Sequence, residues 1–140
     1  MRKLDQRGVA ALEFLLVAVP LFTLMFAIFD FGRYAITMQS LRALANAEAR
    51  ANMINCYTPA VINKTSPSSC PGDYLSVAQK QAVAPFLYGA DLTPKYGLTL
   101  NATQGATALT VTASQPSFTM LVPIWGTAFN APSASTSIPF

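Results

Sequence analysis

The chain has 140 residues, with nine Lys or Arg against six Asp or Glu, two Cys and no His. That length holds one small domain beside a membrane segment. The net charge of +3 is small, so it argues against a nucleic-acid surface, which needs a clustered basic face.

Residues 1–8 form a short basic leader, with Arg2, Lys3 and Arg7 against Asp5 alone. Without it, nine basic residues fall to six and six acidic residues to five, so the basicity is mostly a leader effect. Val9 to Phe29 follows, and only Glu13, Pro20 and Thr23 interrupt its apolar side chains. At about 1.5 Å per residue the run is roughly 31 Å long, against ~30 Å of bilayer hydrocarbon. Residues 9–31 therefore read as a transmembrane segment. Pro20 removes one backbone bond and is expected to kink it. The positive-inside rule puts the N-terminus in the cytoplasm and everything after Phe31 outside. Asp30 can pair with Arg33 at i,i+3, which offsets the cation at the far end. A cleaved secretory signal fits less well. The apolar core is too long, and Phe29-Asp30-Phe31-Gly32-Arg33 is a poor signal-peptidase substrate.

Glu13 is the informative residue of this stretch. A carboxylate at the centre of a spanning helix costs about 2.5–3.5 kcal/mol on insertion scales. Glu13 lies only one turn in from Val9, so it can reach toward the headgroups at lower cost. An edge carboxylate in a first helical turn also gains from the helix dipole. The functional reading requires a cationic partner. Cleavage after Gly8 would give Val9 a free α-amino group with a pKa of about 8. Glu13 of a neighbouring subunit could neutralise that ammonium and set the stagger between subunits. An intramembrane carboxylate is a functional candidate by default.

The segment Arg7-Gly8-Val9-Ala10-Ala11-Leu12-Glu13-Phe14 resembles the class III signal of type IV prepilins. It is most similar to the TadE-like proteins of the tight-adherence (Tad/Flp) pilus system. The resemblance implies that a prepilin peptidase cuts between Gly8 and Val9 and leaves the apolar helix on the mature chain. Flp major pilins often carry Glu-Tyr where this chain has Glu13-Phe14, and they are much shorter. A large external part implies instead a minor pilin or pseudopilin. Val9 departs from the Phe that many type IVa pilins carry at the first mature position, which excludes an N-methylated phenylalanine. The resemblance further implies an inner-membrane precursor with its C-terminal domain in the periplasm. Its partners would be the prepilin peptidase, other minor and major pilins, inner-membrane pilus assembly proteins and the lipid bilayer. The mature protein could end in the extracellular pilus and serve adhesion. The alternative is a single-pass, signal-anchored periplasmic scaffold or envelope-complex subunit that never enters a filament.

Residues 32–55 read as an extension of the helical spine. Phe31, Tyr34, Met38, Leu41 and Ala45 step at three and four, an amphipathic stripe. Arg33, Arg42, Glu48 and Arg50 are expected on its wet side. Residues 56–140 form the external domain. Cys56 and Cys70 flank a Pro- and Ser-rich stretch that reads as a loop. On the oxidising side of the membrane they are expected to form a disulfide. Closing about 15 residues is worth roughly 3 kcal/mol on the chain-entropy estimate. Asp73 or Ser76 can cap a second helix reaching about Tyr88, with Gly89 as its stop and Pro85 distorting its last turn.

After Pro94 the period changes to two. Leu98, Leu100 and Ala102 alternate with polar residues, a Gln104-Gly105 turn follows, and Leu109, Val111 and Ala113 alternate again. This is a β-hairpin with one buried face. Residues 116–130 are apolar but broken by Pro116, Pro123 and Gly126. They can pack on the sheet, meet the membrane surface through Trp125, or face a partner; packing is favoured. Ala134 to Ile138 can add a last strand before Phe140. The expected fold is α+β: a long N-terminal transmembrane and amphipathic spine, a second helix and a small antiparallel sheet.

Glu48, Asp73 and Asp91 are the acids beyond the membrane boundary, and they form no motif pair. No nucleophile motif and no phosphate-binding loop is present. We expect no catalytic residue, no metal site, no cofactor and no nucleic-acid partner.

Overall fold

The computed structural model describes residues 6–65, 70, 72–122 and 126–139; of Gln6 and Arg7 only the backbone is described. Most of the leader, Ser66 to Ser69, Pro71, Pro123, Trp125 and Phe140 lie outside the described residues. So does the alternative that Trp125 meets the membrane surface.

Helix α1 spans Gln6–Asn52 and continues unbroken through Pro20. Its first half is apolar all round and almost wholly exposed, and it is long and apolar enough to cross a membrane. Near Pro20, the Thr23 hydroxyl donates to the Val19 carbonyl at 2.8 Å. The expected loop from Cys56 begins later. A wider π-turn covers Met53–Tyr57, and a last α-helical turn, α2, covers Thr58–Ile62. Pro59 sits at the start of α2. In a regular helix its ring clashes with the carbonyl four residues back. The widened turn before it gives that ring room, and helix direction is kept.

The second helix is shorter than expected. Helix α3 spans Val77–Val83. Ser76, not Asp73, is its cap. The Ser76 side chain accepts from the Gln79 N–H while Gln79 accepts from the Ser76 N–H, a reciprocal capping box. Pro85 ends it at Ala84, before Gly89, and a 3₁₀ turn, Pro85–Leu87, follows.

The sheet has strands β1 (Thr99–Gln104), β2 (Ala108–Ser114) and β3 (Ser133–Pro139), antiparallel in the order β1-β2-β3. Leu100 opposes Ala113 and Ala102 opposes Val111, so the apolar residues share one face. That face lies on α1 and the 3₁₀ turn. Leu41, Leu44, Leu87 and Val111 are fully buried in the shared core. Each such side chain contributes about 1.5–3 kcal/mol of transfer free energy. The stripe therefore packs on the outer domain over its second half, while Phe31 at its start stays exposed. The Thr136 hydroxyl donates to Asn46 Oδ1 at 2.6 Å, pinning β3 to the spine.

Candidate functional site

Gly8, Val9 and Glu13 all lie in the first two turns of α1. Val9 is 56% exposed, and a Cβ built on Gly8 meets nothing within 4 Å. Glu13 is exposed and stands four residues after Val9, so the two share one helix face. Among the described residues no ion pair involves Glu13. The head is thus a smooth apolar helix carrying one carboxylate, with no fold of its own around it.

A second constellation sits where the apolar run ends. Asp30 is buried, with 3% exposure. Its Oδ2 accepts from the Leu121 N–H at 2.7 Å and from the Val122 N–H at 3.0 Å. Its Oδ1 lies 3.2 Å from Arg33 Nη2, the expected i,i+3 pair. Arg33 also donates to the Thr119 carbonyl at 2.5 Å and stacks 4.7 Å above the Phe118 ring. The pair therefore clamps residues 118–122 to the spine. Phe129 packs against Tyr34 at 5.1 Å and Phe31 at 6.0 Å, and Phe118 is buried. These residues pack, as favoured, but against α1 rather than on the sheet. Leu121 remains 75% exposed at the level of Asp30.

The third cluster is in the outer domain. Glu48, expected on the wet side, is fully buried; Arg33 is half-buried, while Arg42 and Arg50 are exposed. Glu48 Oε1 accepts from the Tyr74 N–H at 2.8 Å, and Oε2 is buried without a hydrogen-bond partner. Burial pushes its pKa up, and the Asp73 charge adds to that, while the Tyr74 N–H and Lys80 oppose it. Asp73 is ion-paired with the buried Lys80. Glu48 and Asp73 line a small cleft of about 220 Å³ with Asn101. Among the described residues no group of three or more His, Cys, Asp or Glu could hold a metal.

Cys56 and Cys70 form the expected disulfide, with Cα atoms 5.6 Å apart. The π-turn carries Cys56, so the bridge fastens the end of the spine rather than the mouth of a loop. Asn52 Nδ2 donates to the Cys70 carbonyl at 2.6 Å, and the Cys70 N–H donates to Gln104 Oε1 at 3.4 Å. The bridge thus ties α1 to β1.

The sequence reading missed the clamp made by Asp30, the buried Glu48 and the buried Asn52. For Glu48 and Asn52 a signal was present: Tyr34, Met38, Leu41, Ala45, Glu48 and Asn52 continue the same alternation of fours and threes. For Asp30 there was none, because its partners are backbone amides of a distant segment.

Residues 8–50 match the family model of TadE-like proteins, and over that stretch the chain is similar to them. The match covers the head, the apolar run and most of the spine, and stops before the disulfide and the sheet. No curated protein and no solved structure matches the chain.

Proposed function

We propose that this chain is a TadE-like minor pilin or pseudopilin of a Tad/Flp pilus system. The observation that carries the reading is the Gly8-Val9 head with Glu13, opening an apolar helix inside the TadE-like stretch. The precursor sits in the inner membrane, N-terminus in the cytoplasm, and a prepilin peptidase cuts between Gly8 and Val9. The scissile bond lies in a helical turn. Proteases bind extended backbone, so the first turn must unwind, and Gly8 lowers that cost by about 1 kcal/mol relative to Ala. The mature helix then leaves the bilayer through contacts with other pilins, where Glu13 neutralises the new α-ammonium of a neighbour. The role is structural, in priming assembly or at the tip, and serves adhesion; no catalysis is assigned.

The test is the N-terminal sequence and intact mass of the protein from native membranes, with and without the prepilin peptidase. A chain starting at Val9 only when the peptidase is present supports the reading. A chain keeping residues 1–8 in both leaves a signal-anchored periplasmic scaffold. Gly8→Leu should block maturation without unfolding the domain, since its side chain meets open space. Glu13→Leu should leave insertion and cleavage intact but reduce piliation at least tenfold; unchanged piliation would remove the assigned role.

A further inference from the structure

A groove of about 610 Å³ runs beside α1 at the end of the apolar run. Ile28, Phe29, Gly32 and Arg33 of α1 line it together with Lys95 and Tyr96. Its wall is held in place: Tyr96 adopts a left-handed backbone, φ 53°, and its ring packs on Phe118 at 5.5 Å. Its floor is open, because a Cβ on Gly32 meets nothing within 4 Å.

Two observations say what fits. The first is level. Phe29 ends the run of hydrocarbon length, and Arg33 lies four residues beyond it, roughly 6 Å along the axis. The headgroup layer adds about 5–7 Å to each side of the hydrocarbon. Arg33 thus stands at phosphate height, with Lys95 lining the same groove, while Ile28 and Phe29 lie at the level of the acyl chains. The second is charge. Asp30 offsets the Arg33 guanidinium. Lys95 is exposed and in no ion pair among the described residues. The groove therefore carries one net positive charge above an apolar floor.

We propose that this groove holds one anionic phospholipid of the outer leaflet. Its phosphate meets Lys95 and Arg33, its glycerol backbone lies across Gly32, and one acyl chain runs down beside Ile28 and Phe29. The inference rests on α1 spanning the bilayer with residues beyond Phe31 outside; it does not depend on cleavage at Gly8.

The test reconstitutes the full chain in vesicles of equal phosphatidylglycerol and phosphatidylcholine. Co-flotation establishes insertion. Extraction into mild detergent and native mass spectrometry then count the lipids retained. The expected result is one phosphatidylglycerol per chain, at least tenfold over phosphatidylcholine. Lys95→Glu should lower retention at least fivefold through charge. Gly32→Leu should do the same by filling the floor, with the melting temperature unchanged. Lys64→Glu, the same charge change away from the groove, should retain the lipid. Equal retention of both lipids overturns the proposal, as does full retention by Lys95→Glu and Gly32→Leu. A lipid-free dimer that these variants dissociate overturns it too, in favour of a second copy in the groove. Insertion without lipid selection removes the lipid site alone; failure to float with vesicles removes the spanning reading with it.

Discussion

Glu48 continues the stripe that Leu41 and Ala45 begin, and helix geometry carries it into the core with them. Only one of its oxygens finds a donor there. Its pKa is raised by burial above that of a free glutamate. Below about pH 4.3 the group is protonated in both the folded and the unfolded chain. As pH rises, the unfolded chain releases its proton first, so the contribution of Glu48 to stability is lost through the raised folded pKa. Glu48→Gln keeps an acceptor for the Tyr74 N–H and places a donor on the side of Asp73. We expect Glu48→Gln to be more stable at pH 7 by on the order of 1 kcal/mol. The gap should close toward pH 4, as read by urea unfolding at both values. A Gln variant that is less stable at pH 7 would mean that the charge of Glu48 is itself held by Lys80, whose ammonium opposes the shift.

At the scale of elements, residues 116–122 and 126–130, the described part of the stretch between β2 and β3, have no regular structure, so their backbone amides need partners from elsewhere. Asp30 satisfies two of them, at Leu121 and Val122, and holds Arg33 in position for the Thr119 carbonyl. Asp30→Ala leaves two amides and a guanidinium short of a partner, at about 1–3 kcal/mol for each buried group left unpaired. Hydrogen exchange should then quicken at Leu121 and Val122 by tenfold or more, while Val111 in β2 keeps its protection. Equal loosening of β2 would make the clamp part of the global fold. This clamp was beyond reading from sequence, where Asp30 and Arg33 showed only their i,i+3 spacing. The hairpin was legible because Leu100, Ala102, Val111 and Ala113 alternate strictly and share one buried face. The last strand, expected over Ala134 to Ile138, is present, with Ala134 buried and Ile138 packed on the core. The end of the spine was not. Pro59 is a breaker in any local reading, and only the π-turn from Met53 to Tyr57 reconciles it with a helix that goes on. Charge type misled at Glu48, where position on the stripe outweighed the usual preference of a carboxylate for water.

Across the whole molecule, the two halves of α1 stand in different surroundings. Before Asp30 almost every described side chain is exposed, and every residue of the hydrophobic core cluster lies at Leu41 or beyond. The outer half carries its own supports: the core between α1 and the sheet, the Asp30 clamp and the Cys56–Cys70 bridge. The apolar half, long enough to cross a membrane, thus adds little to the fold. Removing residues 1–27 should give a soluble chain that keeps Asp30, the sheet and the disulfide. Its thermal midpoint in buffer should lie within about 5 °C of the full chain in detergent, a difference of roughly 1 kcal/mol for a domain of this size. Reduction of the bridge should then lower stability by about 3 kcal/mol, the value for a loop of this length. Circular dichroism melts with and without reductant read both quantities. A truncated chain that is helical but melts without a cooperative transition would mean that the apolar half is needed to set the fold of the rest.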